Sequence, residues 1–131
     1  MLFSDIDDLE RDLRAFARQF SSALMQPDVL RLRRLVIANA ERFPEMGSAW
    51  YEHGFERVLA ALAGQFQRLT EEQLLAADDP EMAADNFVGL LLWIPINRVM
   101  FTGATHATPD AELTHYANAA VRVFLRAYGC S

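Results

Sequence analysis

The chain has no lysine: all 12 of its basic residues are arginines, against 18 acidic ones, for a net charge of −6 over 131 residues. A duplex-binding surface must neutralise phosphates with clustered cations. The densest basic cluster, Arg31, Arg33 and Arg34, sits in a strongly apolar helical segment bounded by acidic residues. Direct DNA contact by these residues is therefore not expected. Cysteine is nearly absent too. Cys130 stands alone, so no internal disulfide can form, and a reducing cytoplasm is the natural setting. Long apolar runs are missing: Val88 to Ile96 is broken by Gly89 and Pro95, well short of the ~20 residues a bilayer span needs. The opening Met1-Leu2-Phe3-Ser4-Asp5 lacks the basic and apolar regions of a signal peptide, so no membrane partner is expected.

Catalytic signatures are missing as well. There is no glycine-rich phosphate loop and no glycine-flanked serine elbow, and His53, His106 and His115 do not form a zinc-protease motif. Cys130 lies beyond the last helical pattern, with little to favour its thiolate. No catalytic residue and no cofactor is expected, and the chain reads as a non-enzyme.

What remains is helix. Hydrophobic residues make up 52% of the chain and charged residues 23%, enough for one domain over residues 1–131 with its own core. An all-α bundle of about six helices is expected. The first opens at Ser4, where Ser4-x-x-Asp7 resembles a capping box. It carries the stripe Ile6, Leu9, Leu13, Phe16, Phe20, Leu24 and the outer pairs Asp7–Arg11 and Glu10–Arg14, and Pro27 ends it. The second runs from about Asp28 to Phe43, halted by Pro44. A short third covers roughly Glu45 to His53 and stops at Gly54, and a fourth runs from Phe55 to about Leu69. Thr70 to Asp79 is undecided, with Leu74-Leu75 able to pin a loop onto the core. The fifth starts with Asp79 as N-cap and Pro80 at the first helical position, continues through Phe101 and ends near Gly103. Pro95 in its interior removes one backbone bond and implies a kink. The sixth opens at Thr108-Pro109-Asp110 and closes at Gly129.

The sixth helix has two apolar stripes. One reads Leu113, Ala117, Val121, Phe124, Tyr128; the other reads Tyr116, Ala120, Val123, Ala127. The second stripe points to a dimer interface formed by close helix approach. The alternative is that the helix packs between two neighbours of its own chain.

Several segments in order resemble the C-terminal domains of tetracycline-repressor-like (TetR-type) transcriptional regulators. They are Leu30 to Glu45 (LRLRRLVIANAERFPE), Trp50 to Leu59 (WYEHGFERVL), Asp79 to Ala84 (DPEMAA) with Phe87 to Leu91 (FVGLL), and Val121 to Gly129 (VRVFLRAYG). The matches span about residues 28 to 129. The resemblance implies an effector domain whose last two long helices pair with a second copy's in a four-helix bundle, making a homodimer. It also implies a pocket between central helices for a small, often apolar effector that controls operator release. The family's helix-turn-helix, through which DNA would be read, is expected to precede Leu2. Glu71-Glu72-Gln73 stands where relatives often have a glycine-containing turn.

For the pocket, the residues singled out are Phe20, Asn39, Trp50, Phe66, Phe87, Trp93 and Asn97. They come from a wider set including Phe16, Tyr51, Phe55, Met100 and Phe101, any of which can equally be ordinary core. Asn39 and Asn97 stand out because an amide on an apolar side must find a partner, from the protein or from a ligand. Two other readings stay open. One is a stand-alone helical adaptor that pairs with a full-length regulator. The other is a small helix-bundle metal protein using Glu112-x-x-His115, although a di-iron site would need a second such pair and the spacing equally suits an exposed first turn.

Overall fold

The fold is all-α. In the computed structural model of the chain, residues 6–104 and 107–130 are described. Among them are six α-helices: α1 (Ile6–Leu24), α2 (Pro27–Ala38), α3 (Pro44–Trp50), α4 (Arg57–Glu71), α5 (Pro80–Thr102) and α6 (Asp110–Tyr128), with a π-helical segment, Tyr51–Glu56, joining α3 to α4. The Ser4 cap, the Asp7 side chain and His106 lie outside the described residues.

α1 turns its stripe inward. Leu9, Leu13 and Ala17 are buried, Phe16, Phe20 and Leu24 pack at the core's edge, and the helix lies along α6. Glu10 accepts from Arg14 at 2.7 Å on the outer face, and Arg11 pairs with Asp8 at 3.1 Å. Pro27 begins α2 rather than merely ending α1, because its fixed φ and missing N–H suit a first helical turn. α2 also ends sooner than the position of Pro44 implies. Asn39 leaves the helical region at φ −107° and ψ 8°, and its side-chain amide donates to the Leu35 carbonyl at 2.8 Å. This local bond competes with helix continuation.

Gly54 does not stop a helix. The chain passes through it in the π-helical segment, so α3 and α4 are continuous in space. Glycine in a helix interior costs about 1 kcal/mol relative to alanine, which weakens a helix without ending it.

α5 begins as its sequence dictates: Asp79 accepts a hydrogen bond from the Met82 N–H at 3.1 Å, and Pro80 and Glu81 occupy the first turn. It ends at Gly103 in the left-handed region, φ 72°. Pro95, buried in its interior, cannot donate to the Leu91 carbonyl. The last helix is entered differently from expectation. Pro109, not Thr108, holds the N-cap position, with the Glu112 N–H bonded to its carbonyl at 3.0 Å. Gly129 closes α6 in an extended conformation, φ −71° and ψ 150°, rather than the left-handed one. Its value is close approach: a Cβ there would lie 2.4 Å from the Leu125 carbonyl oxygen.

Four helices meet through aromatic rings. Phe124 of α6 lies 4.9 Å from Phe66 of α4 and 5.1 Å from Phe87 of α5, ring centre to ring centre, and Phe16 of α1 stands 6.2 Å from Phe87. The undecided stretch after α4 is held down by Leu75, which is fully buried, and by the Ala76 N–H bonded to the Tyr128 carbonyl at 2.7 Å. Thr70 accepts from the Ala77 N–H and donates to the Phe66 carbonyl.

Candidate functional site

α5 is apolar on nearly every side, the pattern of a helix meant to be covered all round. One flank (Phe87, Leu91, Ile96, Val99) is buried in the chain's own core, yet Leu90, Trp93, Ile94 and Phe101 remain exposed, Trp93 by 71% and Phe101 by 87%. Two features follow, and they share Trp93.

The first is a cleft of about 680 Å³ between α2, the π-helical segment and α5. Val88, Leu92 and Ile96 form its floor, and Trp93, Met100 and Phe101 stand along its α5 side. Its size suits a small ligand, for which pockets run to ~300–1,000 Å³. The polar groups facing it are few. Arg34 is committed: its guanidinium donates to the carbonyls of Val99 at 2.6 Å and Ala104 at 3.0 Å. This cation caps the end of α5, where free carbonyls and the helix dipole favour positive charge. The Asn97 amide donates to the Trp93 carbonyl at 2.7 Å. Arg33 lies against the Phe55 ring, its guanidinium carbon 5.3 Å from the ring centre. Burial pushes its pKa down from the ordinary arginine value. Phe55 is presented by the π-helical segment, a rare distortion that is frequent at functional sites.

The second feature is a shallow groove on the outer side of α5 and α6, floored by Gly89, Leu90, Ile94, Val123 and Ala127 and again bounded by Trp93. Here an apolar strip runs across two adjacent helices, beyond the isolated apolar residues ordinary on a monomer surface.

The residues singled out from sequence are scattered by the fold. Trp93 and Asn97 line the large cleft. Phe20 and Phe66 border a separate, smaller cavity of about 390 Å³ between α1 and α4, although Phe66 is itself 1% exposed and belongs to the core. Phe87 is fully buried in the aromatic cluster. Asn39 has the Leu35 carbonyl as its partner, and neither it nor half-buried Trp50 borders either cavity. On α6, Val123 and Ala127 are exposed. Tyr116 accepts a hydrogen bond from Arg98 at 3.0 Å. Ala120 is 3% exposed within the single chain, so a charge placed there would disrupt the domain's own core before reaching any interface. Sequence reasoning missed Arg33 and Arg34 as cleft residues. The available signal was a pair of arginines within an apolar segment, Arg33 four residues before Ile37 and therefore on the same helix face.

The metal reading loses its carboxylate to an ion pair. Glu112 accepts from Arg98 at 2.6 Å, and among the described residues no group of three or more His, Cys, Asp or Glu side chains is placed to hold a metal. The Tyr116 hydroxyl, with Glu112 beside it, holds the Arg98 pKa above its ordinary value. Of the basic cluster, Arg31 pairs with Asp28 while Arg33 and Arg34 turn towards the cleft. Among the described residues no helix is long and apolar enough to cross a membrane.

Residues 11–130 match the family described as AefR-like transcriptional repressor, C-terminal domain. The chain belongs to the TetR family. A TetR-family transcriptional regulator from Mesorhizobium loti is 46% identical, with a TM-score of 0.88 over 98% of this chain and 61% of its own. A TetR regulator from Agrobacterium tumefaciens is 28% identical, with a TM-score of 0.81 over 97% of this chain and 60% of its own. The Flavonoid-responsive Regulator FrrA is 26% identical, with a TM-score of 0.74 over 89% of this chain and 59% of its own. The TetR-type chain here thus spans about three fifths of the length of these relatives. Among curated proteins none matches.

Proposed function

We propose that this TetR-family domain is the effector-sensing and dimerising part of a transcriptional repressor. Two copies pair through the exposed faces of α5 and α6 into a four-helix bundle, and a small, largely apolar molecule enters the 680 Å³ cleft. The observation that carries the reading is the double use of α5. Val88, Leu92 and Ile96 floor the cleft, Leu90 and Ile94 face outward, and Trp93 borders both. A guest that moves Trp93 would therefore bear on the partner helix directly. Through a helix-turn-helix carried elsewhere, the change in spacing between two copies would release an operator. A flavonoid-responsive relative supports a flat aromatic guest, since rings stack on Trp93 and Phe101 at little entropic cost. The role is binding rather than catalysis.

The smaller cavity beside Phe20 is the lesser candidate, because the large cleft has both the distorted helix and the convergent arginines at its edge. A thermal-shift screen against a chemically diverse small-molecule library tests the assignment, since a ligand that binds only the folded state raises its apparent stability. Ala38 is exposed on the cleft wall, so Ala38→Trp should fill the cleft without damaging the core. A hit that stabilises the parent chain is expected to lose its shift in Ala38→Trp. A shift that survives the substitution would move the effector site elsewhere.

A further inference from the structure

Arg33 poses a chemical question that the apolar cleft alone does not answer. Its Nε is buried with no protein atom in hydrogen-bonding reach. Native proteins rarely leave such a donor unpaired, because desolvation then has no compensation. Arg34, next to it in sequence, finds two carbonyls; Arg33 finds only the face of Phe55. A ring holds a guanidinium without using its N–H groups, and the terminal nitrogens of Arg33, unlike its Nε, are neither buried nor paired with any described residue where Arg33 lines the cleft. No acidic residue lines the cleft, and among the described residues no carboxylate pairs with Arg33.

We infer that Arg33 selects for an oxyanion on an otherwise apolar effector: the guest's hydrocarbon or aromatic body rests on Leu92, Ile96 and Trp93, and its acidic group meets the terminal N–H groups of Arg33. This rests on the cleft being the effector site and specifies which class of molecule it takes, apolar acids rather than neutral apolar compounds. Charge-assisted, two-pronged hydrogen bonds are the strong ones. A guanidinium held against a ring is also partly ordered already, so less rotamer freedom remains to be lost on binding.

A pair of fluorescent dyes with one skeleton tests it. 1-Anilinonaphthalene-8-sulfonate carries an oxyanion, and N-phenyl-1-naphthylamine is the same body without it. Both are titrated into the parent chain and into Arg33→Met, which keeps the stem and removes the charge. The ratio of the two affinities, sulfonate over neutral, is expected to fall tenfold or more in Arg33→Met, with binding of the neutral dye held within about twofold. Arg33→Gln gives the same readout should the Met variant unfold. A ratio unchanged within twofold overturns the role of Arg33 while leaving the cleft in place as a site for neutral guests. A parent chain that binds neither dye overturns the cleft itself, and the inference with it.

Discussion

Gln73 is held at φ 64°, alone among the described non-glycine residues in the left-handed region. Its carbonyl and Cβ crowd there, at a cost of ~1–2 kcal/mol for an L-residue, and glycine removes the clash while gaining freedom in the unfolded chain. Gln73→Gly is therefore expected to stabilise the domain by up to about 1 kcal/mol, read as a rise in the denaturation midpoint at unchanged slope. A fall in the midpoint would mean that the Gln73 side chain contributes more than its backbone costs. The sequence pointed at this turn, since Glu71-Glu72-Gln73 stood where a glycine was expected. It could not show that the backbone conformation persists without the glycine. Asn39 taught the converse. Its place on an apolar helix face suggested a ligand, but a side-chain amide reaches its own helix's carbonyl four residues back, and residue type alone does not separate the two fates. Arg33 was hidden for a similar reason. A charge in a helix usually points to water, and only the fold turns this one against Phe55.

At the scale of the helix, legibility followed the strength of the capping chemistry. Asp79-Pro80-Glu81 and Gly103 marked both ends of α5 because each is a backbone requirement met by few residue types. Asp79→Ala removes the side-chain acceptor of the Met82 N–H and is expected to cost ~0.5–2 kcal/mol. Chemical denaturation measures this, and a cost below the error of the method would show that water caps the helix equally well. The boundary at Gly54 was misread because glycine weakens helices and ends them by the same property, and the π-helical passage from α3 into α4 is a tertiary choice. The end of α2 was placed late because Pro44 limits how far a helix can go, while Asn39 decides where it stops sooner. At the opening of α6, Thr108 reads as the cap by analogy with Asp79-Pro80. The extended φ and ψ of Pro109, −58° and 141°, place the boundary one residue later.

Across the whole molecule, the organising feature is a single helix serving two surfaces. α5 contributes Phe87 to the aromatic cluster that joins it to α4 and α6, the floor of the cleft on one side, and an exposed apolar ridge on the other. The all-α architecture was legible from period and punctuation alone, and the family from ordered segments. Which aromatics line a cavity was not, because Phe87 and Trp93 sit six positions apart on one helix and differ only in what the rest of the chain places beside them. The second stripe of α6 divides in the same way: Val123 and Ala127 face out, while Ala120 turns into the core. A pairing test must therefore avoid Ala120 and use an outward position. The most direct measurement is the mass in solution at micromolar concentration, by light scattering after size-exclusion chromatography, of the parent chain and of Ile94→Glu. The account predicts twice the 14.8 kDa of one chain for the parent and a single 14.8 kDa chain for the variant. A monomeric parent, or a variant that still pairs, would contradict it.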